Sequence, residues 1–170
     1  KLLEAPVREE FERRTELEVV RFPKMVRSLP PPFMLANVDG LIVDRDRPEN
    51  VANITGIYEG KTSRFDWASD GTVTIPVQYA VQGYHYMAVL ELDIVHYACL
   101  VGGQKLVVAE LERNDKLIED LIAIEAAMWQ KVVDGIPPAA LAGVVAGTKL
   151  RALGQASDLA DGYLRARYSL

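Results

Sequence analysis

The sequence predicts an α/β domain, strands packed with helices, and three observations carry that expectation. Two stretches, Met34 to Val43 and Ile54 to Tyr58, are largely apolar, as expected of strands buried on both faces. Segments with helical spacing of apolar residues stand before and after such runs, so strands and helices alternate along the chain. At 170 residues with 49% hydrophobic content the chain is long enough for one domain with a real core, and no internal repeat points to a solenoid.

The elements follow in order. Leu2 to Leu17 reads as an amphipathic helix, with Val7, Phe11 and Leu17 as apolar positions among Glu and Arg residues. A strand is expected around Leu17 to Phe22, and Leu29-Pro30-Pro31-Pro32 then breaks regular structure before the Asp39 strand. Arg45 to Asn53 is charged and contains Pro48, which suits the mobile loop of an antiparallel hairpin. Thr62 to Thr74 is a longer connection holding Trp67, and a helix carrying Gln82 comes after it. Two strands, Ile94 to Val101 and Lys105 to Leu111, are joined by Gly102-Gly103, a pair suited to a tight turn.

A long helix is next. Asn114 or Asp115 can cap it, Leu117, Leu121, Ile122, Ala126, Trp129 and Val133 form its apolar stripe, and Gly135 with Pro137 and Pro138 ends it. This stripe places Trp129 in the core. The domain is expected over residues 1–138, leaving 139–170 as an Ala- and Gly-rich tail with short helices that packs on the domain or on a neighbouring subunit.

Asp39, Glu59 and Lys61 carry the chemical signal. Side chains alternate faces along a strand, so Glu59 and Lys61 point one way and Gly60 the other. If the preceding strand brings Asp39 alongside, two carboxylates can hold a hard cation such as Mg²⁺, with Lys61 beside the attacking water. Singly, each residue has a plainer explanation: Asp39 before Gly40 fits turn chemistry, and a Glu two residues before a Lys is common on a solvated strand edge. Their apolar neighbours weigh against that, because charges in buried strands are costly unless paired or bound to metal. Gln82 and Tyr86 are four apart and share a helical face. The competing reading puts Tyr79, Tyr86 and Val89 in the core and Gln82 at the surface.

Together these segments resemble the YqaJ-like viral recombinases, relatives of the phage lambda exonuclease within the PD-(D/E)XK, restriction-endonuclease-like superfamily. The resemblance begins at LLEAPVREEFERRTELEVV (Leu2 to Val20), continues through MLANVDGLIVD, GIYEGKTS and IPVQYAVQGYHYMAV, and runs on through VGGQKLVVAELERND and EAAMWQKVVDGIPP. It covers roughly the first four fifths of the chain in the family's order. A restriction-endonuclease-like core of the α+β kind is implied, a central mixed sheet flanked by helices, and with it a Mg²⁺- or Mn²⁺-dependent deoxyribonuclease. In that reading Asp39, Glu59, the Gly60 carbonyl and Glu4 hold the metal, Lys61 orients the water, and Gln82 and Tyr86, matching a QxxxY motif, position the scissile strand.

The resemblance further implies a 5′-to-3′ exonuclease on double-stranded DNA in phage-type recombination, a single-strand annealing protein as partner, and a ring-shaped homo-oligomer. Ser63, Arg64 and Trp67, just past the Lys61 strand, are the expected DNA contacts; Trp67 either stacks on a base or packs under its loop. Two positions depart from the family pattern, Tyr84 where many members have Gln and Gly60 where they have a bulky apolar residue. Members also carry an upstream segment, and with no initiator Met the chain is expected to begin inside a longer polypeptide. A nuclease-derived binding or assembly module with little catalysis, and a structure-specific endonuclease, are the alternatives.

A net charge of −5 and a pI near 5.1 are unexpected for a protein that grips DNA. They do not exclude a nuclease, since metal ions supply positive charge at a cut site. The basic pairs Arg13 and Arg14, Lys24 and Arg27, and Arg165 and Arg167 read as solvated surface; Arg64, next to Lys61, is the exception. The single Cys99, in HYACLVGG, reads as a core strand residue and excludes a four-Cys iron–sulfur cluster within this chain. His85 and His96 alone argue against a zinc site. No disulfide framework, bilayer-spanning stretch or signal-peptide pattern is present, which points to a reducing cytoplasm, in a bacterial host or phage-infected cell.

Overall fold

The computed structural model describes residues 3–29, 31–44 and 53–136. The expected tail, 139–170, with Arg165 and Arg167, and most of the loop between the Asp39 and Glu59 segments lie outside the described residues.

Helix α1 (Glu4–Thr15) forms where the amphipathic period predicts it and buries Val7 and Phe11. It ends at Glu16, which adopts the left-handed conformation and returns its N–H to the Glu12 carbonyl. Strand β1 (Glu18–Arg21) follows. The Pro-rich run is spanned by a small ribbon, β2 (Val26–Arg27) against β3 (Leu35–Ala36), which the sequence reading did not anticipate. β4 (Gly40–Val43) comes next. The apolar run 34–43 is therefore two strands and not one, a correction that matters for Asp39. Met34 and Ala36 pack with Val89 in a small cluster of their own, while Leu41 and Ile42 join the main sheet, and the chain bends between them.

β5 (Ile54–Ser63) pairs antiparallel with β4, as the hairpin expectation requires. The long connection after it folds into a two-stranded hairpin, β6 (Ala68–Ser69) and β7 (Thr72–Val73), turning at Asp70 and Gly71, both with positive φ. Helix α2 (Val77–Leu90) then crosses over to β8 (Ile94–Val101), which runs parallel to β5. β9 (Lys105–Glu112) returns antiparallel through Gly102 and Gly103, whose φ values of 58° and 74° match the turn that their dipeptide predicts. The central sheet has the order β1-β4-β5-β8-β9, mixed as expected.

Each face of the sheet is covered by a helix. On one face Phe11 of α1 packs with Val19, Tyr58, Ala98 and Leu106. On the other, Tyr84 and Met87 of α2 pack with Ile57, Val95, Tyr97, Cys99 and Val107. The approach of α2 depends on Gly83, where an added Cβ would lie 2.5 Å from Tyr97 Oη and 2.7 Å from a Leu111 methyl. Tyr84 belongs to this buried layer. Cys99 is buried and free, and burial pushes its thiol up to about 11.

Helix α3 (Asp115–Val133) starts at Asn114, whose side chain accepts the Leu117 N–H at 3.1 Å. Leu117, Ile118, Leu121 and Ile122 pack inward. Trp129 and Val133 do not, which corrects the expected stripe: Val133 is exposed, and Trp129 stacks on Phe33 with ring centroids 6.0 Å apart but stays half-exposed. Past Ile122 the contacts thin out to the Glu125 bond with His85 and the Trp129 stack on Phe33. No helix among the described residues is long and apolar enough to cross a membrane.

Candidate active site

The site is built on an open strand edge. Pairing of β4 with β5 stops at Gly40 opposite Tyr58, so residues 59–63 have β8 on one side and, among the described residues, no strand on the other. Asp39 fills the first position of the gap. It stands in the bend just ahead of β4, not within a strand as expected, and its Oδ2 accepts the Gly60 N–H at 3.0 Å. The carboxylate thus replaces a ladder partner. Along β5 the strand period sends Ile57, Glu59 and Lys61 toward α2, and Tyr58 and Gly60 toward α1.

On the α2 side one chain of hydrogen bonds links the expected residues. Lys61 Nζ donates to Glu59 Oε1 at 2.7 Å and to Gln82 Oε1 at 2.8 Å, and sits 4.7 Å from the centre of the Tyr79 ring. Gln82 Nε2 donates to the Tyr86 hydroxyl at 2.8 Å, and Tyr86 donates to the Asn37 carbonyl at 3.0 Å. The chemistry of the groups fixes this direction. An ammonium only donates, so the amide oxygen must face Lys61, its nitrogen is left for Tyr86, and the hydroxyl proton goes on to a carbonyl. The chain ends two residues before Asp39, which ties α2 to the bend that holds the other carboxylate.

Glu59 is only 5% exposed, and its Oε2 is buried with no hydrogen-bond partner. Burial first, and then the Asp39 charge, push its carboxyl above the usual range, while the Lys61 hydrogen bond and charge, and last the Asp39 backbone N–H, too far off-line to pair with Oε2, pull it back. A cation between Asp39 and Glu59 would satisfy the unpaired oxygen and relieve the repulsion. The donors offered are all oxygens, which suits a hard ion. Among the described residues no three His, Cys, Asp or Glu side chains come together as a metal site. Mg²⁺ fits that arrangement, because it uses one or two carboxylates and keeps water and phosphate oxygens for the rest of its shell. Glu4, in the first turn of α1, lines the same cleft but stands apart from the Asp39 and Glu59 pair.

The cleft has a volume of about 600 Å³. Besides the acidic residues and Lys61, its lining includes Arg8 of α1, Arg21 of β1 and Tyr58. None of the three stood out in the sequence. Arg21 is brought in by register, since it pairs with Gly40 beside Asp39. Arg8 lies one helical turn after Glu4, a spacing that was there to be read. Tyr79, under Lys61, and the Asn37 carbonyl carried no signal at all.

The loop after β5 corrects one expected DNA contact. Trp67 is 4% exposed and packs against the rings of Tyr79 and Tyr97, at 5.4 and 6.0 Å, so no face is left for a base. Its role is to support Tyr79 beneath Lys61. The aromatic ring that this loop presents is Phe65, 83% exposed. Ser63 is engaged by that turn: its Oγ accepts the Phe65 N–H at 3.0 Å and donates to the Phe65 carbonyl at 2.8 Å. Arg64 is exposed, two residues past Thr62, which lines the cleft. Behind α2, His85 bridges Glu125 at 2.8 Å and the Leu35 carbonyl at 3.0 Å, which fixes the helix that carries Gln82 against α3 and β3.

A family model described as the YqaJ-like viral recombinase domain matches residues 1–93, just over half of the chain. The Bacillus subtilis (strain 168) protein YqaJ is 34% identical over 171 residues, covering 99% of this chain and 47% of that protein. The chain thus spans about half the length of the curated relative that it matches. In fold it is similar to LHK-Exo, an alkaline exonuclease from Laribacter hongkongensis, with a TM-score of 0.56, 14% identity, and 79% of this chain and 66% of that one covered. It is also similar to a phage-related exonuclease from Haemophilus somnus 129PT, with a TM-score of 0.50, 11% identity, and 79% and 70% covered. The family stretch takes in Glu4, Asp39, Glu59, Lys61, Gln82 and Tyr86 alike, and the chain belongs to the YqaJ-like viral recombinase domain family.

Proposed function

We propose that this chain is a metal-dependent deoxyribonuclease that hydrolyses DNA phosphodiester bonds in phage-type recombination, acting 5′-to-3′ as an exonuclease on double-stranded DNA. One observation carries the reading: a buried, partly unsatisfied Glu59 lies beside Asp39 and is bonded to a Lys61 that a helix holds in place, all on a strand edge open to a cleft. Family membership supports it, as does a fold shared with two proteins described as exonucleases.

Mg²⁺ or Mn²⁺ would be held by Asp39 and Glu59, with the Gly60 carbonyl as a further ligand and Glu4, which lines the same cleft, reaching the ion only through a bound water. Such an ion supplies Lewis-acid polarisation of the phosphate and lowers the pKa of bound water. The chain's own residues do the rest. Lys61 has three N–H donors, of which two are committed to Glu59 and Gln82, and the third is directed at the attacking water or the charge developing on phosphate. Gln82 and Tyr86 keep Lys61 from swinging away and align the strand above it. Ser63 and Arg64 extend the contact with DNA past the cleft. A single-strand annealing protein and a homo-oligomeric ring belong to the same proposal.

The test compares linear duplex with covalently closed circular DNA in the presence of Mg²⁺. Wild-type protein is expected to release nucleotides from the linear form only, and Lys61→Ala to be slower by about 10²- to 10³-fold, the usual loss for one transition-state donor. Undiminished digestion by Lys61→Ala would remove that residue from the mechanism. Cutting of the closed circle would make the protein an endonuclease, and tight binding without release a DNA-binding module.

A further inference from the structure

Helix α3 carries an apolar face that runs past the surface it packs on. Leu117, Ile118, Leu121 and Ile122 pack against the domain, and their three-and-four spacing continues along the same side of the helix to Met128, Trp129, Val132 and Val133. These four are 46% to 63% exposed, and Ile136, just past the helix end, is as bare. Single exposed apolar residues are ordinary, but a continuous stripe marks a surface that something covers.

The chain leaves the helix at the end of this stripe. Gly135, with φ of 66°, donates its N–H to the Val132 carbonyl at 3.2 Å, and Ile136 donates to the Lys131 carbonyl at 2.9 Å, a complete helix-closing turn. In such a turn an apolar residue at the position of Ile136 commonly packs on the helix residue that its N–H reaches. Here that residue is Lys131, so Ile136 joins the exposed stripe instead.

Residues 139–170, which follow, have the matching chemistry. Leu159, Tyr163, Ala166 and Leu170 recur at intervals of four, three and four, the spacing of one helical face. The segment carries Lys149, Arg151, Arg165 and Arg167 against Asp158 and Asp161, so the acidic excess of a chain with net charge −5 lies wholly outside it. Helix α3 shares that excess, with Asp115, Glu119, Asp120 and Glu125 against Lys116 and Lys131. A second copy laid on this face would set one acidic helix against another, whereas the tail brings the opposite charge. Reach is ample: the stretch 124–136 is about 18 Å long as a helix, and the 20 residues 139–158 can extend to roughly 66 Å. A tethered segment also meets the face at an effective concentration that a separate molecule would match only near millimolar.

We propose that the bare face of α3 is the docking surface for residues 159–170 of the same chain, with Leu159, Tyr163, Ala166 and Leu170 laid along Met128, Trp129, Val132 and Val133. The docking is independent of the nuclease chemistry.

Trp129 reports on this face directly, because the other tryptophan of the chain, Trp67, is buried in the core. In the full 170-residue chain Trp129 is expected to emit to the blue and to resist acrylamide quenching, to the same degree over a dilution series followed by sedimentation. Leu159→Glu combined with Tyr163→Glu puts charge into the apolar stripe of the tail, so the emission should shift to the red and quenching should rise. Trp129→Phe in either background leaves Trp67 alone, and its emission should stay blue and unquenched. Equal quenching of Trp129 with and without the tail substitutions would overturn the docking. Protection that fades on dilution as the sedimentation coefficient falls would also overturn it, and would assign the face to a second copy. Exposure of Trp67 together with Trp129 in the tail variant would place the tail in the main core, and sink the proposal as well.

Discussion

The α2 wall of the cleft and its α1 wall differ in how their polar atoms are paired. Toward α2, Glu59 Oε1, Lys61, Gln82 and Tyr86 run in one unbroken chain to the Asn37 carbonyl, and only Glu59 Oε2 is left over. Toward α1, the Tyr58 hydroxyl has no partner and Arg8 and Arg21 make no ion pair among the described residues. The first wall is assembled before anything binds, as the proposed role of Lys61 in the transition state requires. Paired and unpaired polar groups thus sit on opposite sides of one strand, separated by the pleat.

The largest expected effect attacks the finished wall at its acidic end. Glu59→Gln keeps an acceptor for Lys61 but removes the charge, and turnover of linear duplex in Mg²⁺ should fall by about 10²-fold or more. Retained turnover would show that the pairing of this wall is structural only. A smaller effect is expected from Tyr86→Phe, which cuts the chain between Gln82 and Asn37 while leaving the ring packed. Steady-state kinetics should show kcat lower by roughly tenfold, with about 1 kcal/mol lost in stability from the broken hydrogen bond. A change confined to KM would instead limit Tyr86 to substrate binding.

The smallest effect is a control that should touch neither wall. His96 is buried against Phe11 on the α1 face, where desolvation pushes its pKa below 6.5 against the opposing pull of Glu110. A depressed histidine contributes stability that is complete above pH 6.5 and is lost as the pH falls through its folded value. Melting curves from pH 7.5 downward should therefore slope more steeply in wild type than in His96→Gln, with DNA affinity unaltered at neutral pH. An equal slope in both would show that His96 is solvated in the folded state.

Much of this arrangement was legible before any coordinates. The Glu59 and Lys61 pair follows from strand period, Gln82 and Tyr86 from helix period, the β8-β9 turn from Gly102-Gly103, and the start of α3 from Asn114, because each depends on neighbours within a few residues. What was misread depends on contacts between distant segments. The run 34–43 looked like one strand because apolar content does not reveal which cluster each residue joins. Trp67 and Phe65 are equally aromatic, and only docking under Tyr79 decides that the first is inside and the second outside. Trp129 lies on a correct helical stripe that outruns the surface it packs on. Tyr58 and Arg8 went unnoticed because an unpaired hydroxyl is a property of the folded state alone.

The link between Asp39 and Gly60 has a consequence beyond the chemistry of the cleft. Bare backbone at a sheet margin invites another chain to add itself as a further strand, and folded proteins guard such margins with charge. Here the guard is the Asp39 carboxylate on the Gly60 N–H. The carboxylate that the proposed mechanism assigns to the metal is therefore also the group that blocks this margin, and Asp39→Ala is expected to self-associate as well as to lose turnover.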